Sequence, residues 1–143
     1  MTIELSEKSE RGLAVIGEMR GQQFSDLMRS AAASKKFGSA ITRMALDFSF
    51  ADSWGRDGLA RRDRSLVVIG VLIAQRQSLE LKNHIKIGIA NGLTVREIEE
   101  ILVQATSYVG FPCIATAMTA AIEAFREIDM APNVDTAEER GLL

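Results

Sequence analysis

At 143 residues the chain has the length of one domain, large enough to bury roughly two-thirds of its unfolded surface around a single core. Its 47% hydrophobic and 25% charged residues, with 17 Lys and Arg against 19 Asp and Glu, give an ordinary globular balance of net charge −2 that disfavours a nucleic-acid binder. A single cysteine, Cys113, and a single histidine, His84, exclude an internal disulfide, a two-thiol redox centre and a Cys/His zinc site.

The polar, acidic start MTIELSEKSER lacks the basic lead and apolar centre of a signal peptide. The longest apolar run, Leu66 to Ala74, is nine residues, against the roughly 20 that span a bilayer. A cytoplasmic protein without membrane contact is expected. Two prolines, 6% aromatics and recurrent helix start and stop signals predict an all-α fold.

The first helices are predicted over Glu10–Arg20 and Ser25–Ala33, with Gly21 as the stop between them, and Gly38 opens another that reaches about Phe50. Residues 52–58, DSWGRDG, have loop composition with Trp54 inside them. They are expected to separate an N-terminal helical arm, about residues 7–51, from a core of about 54–129 within one domain spanning 1–143. A helix over Arg61–Gln77 has a charged first turn and an apolar body on every side, which predicts a central position. Ser78 is the predicted cap of a helix over Leu79–Ala90, and Asn91-Gly92 its left-handed stop. Thr94-Val-Arg-Glu97 reads as a capping box before the stripe Ile98, Ile101, Leu102, Ala105. Gly110-Phe-Pro112 breaks the chain. The Ala- and Thr-rich stretch Cys113–Ile128 that follows permits close helix packing, and the tail over 131–143 reads as polar and loose.

Glu80 stands four residues before His84, one turn away on the same helix face. Such a pair is either a solvated ion pair or an imidazole poised by a carboxylate to deliver a proton near neutral pH. Gly88 continues this face and leaves room either for a ligand or for a neighbouring helix. Arg64 borders the apolar run and either clamps a carboxylate or is solvated beside Asp63. Trp54 is a core anchor or a pocket wall, while Gln104 and Tyr108, four apart, either face a pocket or reach water. The Glu-x-x-x-His spacing differs from the Glu-x-x-His of di-iron bundles, so no metal is expected.

Taken in order, Trp54, Gly58-Leu59, Arg64-Ser-Leu66, Glu80-Leu-x-x-His84, Asn91-Gly-Leu-Thr-x-x-Glu97-Ile and Tyr108-x-Gly-x-Pro112 resemble the carboxymuconolactone decarboxylase family, over about residues 10–128. The resemblance implies an alkyl hydroperoxidase D-like helical bundle of six or seven helices that assembles into rings, commonly hexamers. The hydroperoxidase branch depends on a Cys-x-x-Cys pair, and Cys113 stands alone, so the resemblance points to the decarboxylase branch with His84 as catalytic residue. Asp57 replaces the usual Pro before Gly-Leu, and Phe111 and Cys113 flank Pro112 where smaller residues are common; Phe111 would alter pocket volume.

The function so implied is cofactor-independent decarboxylation of a carboxylated lactone such as 4-carboxymuconolactone in aromatic catabolism. His84 is expected to protonate the dienolate, Glu80 to orient it, Arg64 to clamp the retained carboxylate and Trp54 to form a wall, with Tyr108, Gln104 and Phe111 as further substrate contacts. The alternatives are a related lyase on another lactone or keto acid, and a ring-forming binding or structural protein without turnover. An exposed Glu80–His84 pair on the outer surface would favour the last.

Overall fold

The computed structural model describes residues 2–130 and 134–142. Among them there are seven α-helices, one π-helical segment and no strand. The helices fall into two compact units that divide between Ala60 and Arg61.

In the N-terminal unit, α1 (Glu7–Arg20) starts three residues earlier than the apolar spacing predicts. Ser6 caps it by accepting a hydrogen bond from the Ser9 N–H at 3.0 Å, and Glu7 and Glu10 favour the positive end of the helix dipole. Gly21, at φ 89°, ends α1 and directly precedes α2 (Gln22–Ala33), so α2 also begins earlier than predicted. Leu13, Ala32 and Leu46 form the buried centre of this unit. The Ser25 hydroxyl donates to the Leu13 carbonyl at 2.8 Å, tying α2 to α1.

After Gly38, α3 (Ser39–Met44) passes without a break into a π-helix over Ala45–Trp54. This corrects the loop predicted over 52–58: helix continues to Trp54, and the connection occupies only residues 55–60. The polar letters that suggest a loop are used within the helical segment. Asp52 forms an ion pair with Lys8, Asp47 accepts from the Ser9 hydroxyl at 2.5 Å, and Trp54 is buried. Gly12 of α1 lies directly against this segment; a methyl group there would overlap the Leu46 carbonyl oxygen and stand 2.8 Å from its carbon.

The C-terminal unit contains α4 (Arg61–Ala74), α5 (Ser78–Ala90), α6 (Val95–Val109) and α7 (Phe111–Glu127). The helix predicted to Gln77 stops at Ala74, because Arg76 turns into the left-handed region at φ 55° and the Gln77 N–H reaches back to the Leu72 carbonyl at 3.1 Å. Gln77 rather than Ser78 occupies the cap position of α5, without a side-chain cap. At its other end α5 closes in a Schellman turn: with Gly92 at φ 105°, Leu93 N–H donates to the Gly88 carbonyl at 2.9 Å and Gly92 N–H to the Ile89 carbonyl at 3.0 Å. The capping box of α6 is present in both directions, Glu97 N–H to Thr94 Oγ1 at 3.1 Å and Thr94 N–H to Glu97 at 2.9 Å.

The all-round apolar pattern predicts a central α4, and both α4 and α7 pack on every other helix of this unit, but the most buried helix is α7. Cys113, Ile114, Ala117, Ala120, Ala121, Ala124 and Phe125 are buried, and α7 packs on α4, α5 and α6. Its alanines bring the helix backbones close together. By contrast α4 buries Ser65, Ile69 and Ile73 on one side and leaves Val67 and Val71 59% and 48% exposed on the other. Its apolar surplus lies outside the core of a single chain.

The described portion of the tail is not loose. Residues 134–142 carry their own capping box, in which Thr136 N–H donates to Glu139 at 2.7 Å and Glu139 N–H to Thr136 at 3.3 Å, and Arg126 of α7 grips the Glu139 carboxylate with both guanidinium nitrogens at 3.0 and 2.8 Å. Residues 131–133 and 143 of the predicted loose segment lie outside the described residues. Arg126 and the Thr136 amide hold the Glu139 carboxyl down at about 2, and Lys82 and Lys86 do the same for Glu127, also at about 2. A carboxyl lowered by folding stabilises the fold above its unfolded value of 4.5 and loses that contribution as pH falls towards 2. Urea midpoints of the wild type should therefore decline from pH 4.5 to 2, and a Glu127→Gln, Glu139→Gln double variant should follow a flatter course across that window. At pH 7, Glu139→Gln should also speed amide exchange in residues 136–141 without altering α7.

Candidate functional site

The residues predicted to carry chemistry do not converge on one cavity. Arg64 lies in the first turn of α4 and is half-buried, and His84 lies in the middle of α5, also half-buried. The Nδ1 atom of His84 is enclosed and forms no hydrogen bond, while the residue as a whole does interact with its surroundings. Glu80, one turn before it, is exposed. The pair therefore differs in environment: the carboxylate faces solvent and the imidazole is partly withdrawn from it.

Helices α4 and α5 run antiparallel after the tight 75–77 connection, and their register is fixed at one end. Asn91 Nδ2, at the end of α5, donates to the Oγ of fully buried Ser65 at 3.0 Å. Gly88 settles the choice left open for it: a methyl group there would lie 3.0 Å from Leu93 Cδ1 and 3.2 Å from Ile69 Cδ1, so its missing side chain admits α4 and the Leu93 turn, not a ligand. Arg64 is thus level with the C-terminal end of α5, and His84 is seven residues back, about 10 Å along the helix. Sequence reasoning missed the Ser65–Asn91 bond, since 26 residues separate the partners and only the hairpin brings them together.

Gln104 and Tyr108 line a groove of about 660 Å³ between α4 and α6, with Leu66, Gly70 and Ile101 as its apolar walls. Tyr108 is 82% exposed at its rim. At one end Arg62 pairs with Glu97. The Glu97 carboxyl is lowered first by the Thr94 amide and then by the Arg62 charge, so it stays ionised as cap and partner together. Phe111 is not in this groove; it is 78% exposed and borders a second apolar hollow between α6 and α7 with Val103 and Met118. Trp54 belongs to the N-terminal unit, buried at the end of its π-helix.

Cys113 is enclosed, and its thiol donates to the Ile73 carbonyl at 2.8 Å. A hydroxyl fits the same bond, so Cys113→Ser is expected to retain the fold, with circular dichroism unchanged and a urea midpoint close to that of the wild type. Among the described residues no three His, Cys, Asp or Glu side chains cluster in a way that could hold a metal ion, and no helix is long and apolar enough to cross a membrane.

The sequence profile of the carboxymuconolactone decarboxylase family matches residues 39–123, more than half of the chain and including both Arg64 and His84. The chain belongs to this family. It is 32% identical over 126 residues to a 4-carboxymuconolactone decarboxylase of Acinetobacter baylyi, covering 88% of this chain and 92% of that one. A nitrosuccinic acid decarboxylase of Metarhizium robertsii is 31% identical over 110 residues, covering 76% and 75% of the two chains. An uncharacterized 15.0 kDa protein of Paracoccus denitrificans is 29% identical over 99 residues, 68% of this chain and 74% of that one. The all-helical architecture is consistent with membership of this family.

Proposed function

We propose that the protein is a cofactor-independent decarboxylase of a small dicarboxylate such as 4-carboxymuconolactone, acting in aromatic catabolism. The observation that carries this reading is the nearly end-to-end likeness to the A. baylyi decarboxylase. Loss of carbon dioxide from such a lactone leaves an electron pair that spreads through the ring alkene onto the lactone carbonyl as a dienolate. The reaction then needs a proton delivered to carbon, a hold on the carboxylate that stays and a donor or cation near the developing oxyanion. His84, protonated, supplies the proton to carbon; Arg64 holds the retained carboxylate through its planar fork; Glu80 orients His84 on substrate binding; and Gln104 and Tyr108 shape recognition.

The M. robertsii relative favours a second substrate within the same chemistry. In nitrosuccinic acid the departing carboxyl sits beside a nitro group, which accepts the electron pair as a nitronate, and a second carboxylate again remains. Both compounds combine an electron sink next to one carboxyl with another carboxyl to grip. Carbon dioxide release measured over a panel of carboxylated lactones, nitro-dicarboxylates and keto acids tests the reading. Slower but measurable turnover of the monocarboxylate counterpart than of the dicarboxylate is expected; no release from any of them would leave a binding or structural protein.

The same reading includes a homo-oligomeric ring, a hexamer by likeness to the family. Its physical support is the outer face of α4, where Val67 and Val71 are exposed. Sedimentation at micromolar concentration should give a species larger than a dimer that persists in raised salt, and Val71→Asp should shift it to smaller species. A wild-type monomer would refute the ring.

A further inference from the structure

We propose that Asn91 is a positioning residue: its bond to Ser65 sets the separation between a carboxylate held at Arg64 and the imidazole of His84. This rests on the roles given to Arg64 and His84 above. The amide of Asn91 is not needed to end α5, because Gly92 and two backbone hydrogen bonds already do so. Its side chain instead reaches across to α4 and satisfies a hydroxyl that is only 1% exposed.

A buried hydroxyl is costly to desolvate, and an alanine at 65 would fill the position without that cost. What the polar pair adds is direction. Apolar contacts between α4 and α5 tolerate a slide or a small rotation, whereas a 3.0 Å amide-to-hydroxyl bond admits only one register. The bond acts where the helices already meet closely, since Gly88 lacks the methyl group that would press on Leu93 and Ile69. Arg64 immediately precedes Ser65, and Gly88 follows His84 by one turn. A slide of one residue moves the Arg64 turn by about 1.5 Å relative to His84, and misplacement of about 1 Å can cost 10²-fold in rate.

The test is a set of cycles among Asn91→Ala, Ser65→Ala and Arg64→Gln, with steady-state rates on the dicarboxylate that the wild type turns over best and on its analogue with the retained carboxyl converted to a carboxamide. Asn91→Ala and Ser65→Ala are each expected to lower kcat/KM on the dicarboxylate by about 10-fold, and the double variant by no more than either. The loss should disappear on the carboxamide and in the Arg64→Gln background, because there is then no held carboxylate to misplace. Loosened packing would persist in both. If Asn91→Ala fails to fold, Ser65→Ala removes the same bond from the other side, and Asn91→Asp, which accepts from the Ser65 hydroxyl, should recover most of the rate. Single variants that match the wild type, or equal losses on dicarboxylate and carboxamide, would overturn this inference alone. A wild type inactive on every carboxylated substrate would overturn the functional reading and this inference with it.

Discussion

Replacing His84 by Gln is expected to lower turnover by roughly 10²–10⁴-fold, the span that general acid catalysis contributes, while circular dichroism and sedimentation stay unchanged. Glutamine keeps similar bulk and can still donate a weak hydrogen bond, but it carries no proton that it can release near neutral pH. No second histidine exists in the chain to substitute. Glu80→Gln should cost less, about 10-fold or below, because Glu80 is exposed and its proposed role is to orient His84, not to donate. Steady-state rates on a confirmed substrate check both. If His84→Gln kept near-native turnover, the acid assignment would be wrong and His84 would be a half-buried packing residue.

The largest expected loss of stability comes from Gly12→Ala. In an ordinary helix interior this change gains up to about 1 kcal/mol from propensity. Here the added methyl meets the Leu46 backbone, which cannot swing aside as the end of a flexible side chain can. The N-terminal unit should lose about 3 kcal/mol or more, beyond what the propensity gain offsets. Gly17, also in α1, provides the control: a methyl there stands 3.6 Å from Ser25 Cβ, an ordinary contact, so Gly17→Ala should be neutral or slightly stabilising. Trp54 is the single tryptophan and belongs to this unit, so its fluorescence in urea reads the unit selectively. Equal midpoints for the two variants would show that the backbone contact is not rigid.

Much of the helical plan was legible because its signals are local. The Thr94–Glu97 box, the Asn91-Gly92 stop and Pro112 at a helix start each act through bonds or φ angles within a few residues. The π-helix was not legible. Asp52 and Ser53 carry loop propensity, and helix persists there alongside an ion pair to Lys8 on α1 and a buried Trp54, neither of which has a signature in a short window. The exposed side of α4 has no signature for a related reason: periodicity reports which residues are apolar, not whether a chain's own core covers them. Within the candidate site, one-turn spacing placed Glu80 and His84 on the same face correctly. It could not reveal that one is exposed and the other half-buried, since that depends on helices distant in sequence.

The alanine-lined face of α7 separates positions of the C-terminal unit that have no room for a larger side chain from positions that do. Ala117, Ala120, Ala121 and Ala124 are 0–3% exposed, so an added carbon there overpacks the core and is destabilising. Substitutions are best tolerated at the rim of this unit, at exposed Gln104, Tyr108, Phe111 and Met118, where bulk and polarity can change at little cost to folding. Size and polarity at those rim residues can thus change while the interior stays the same.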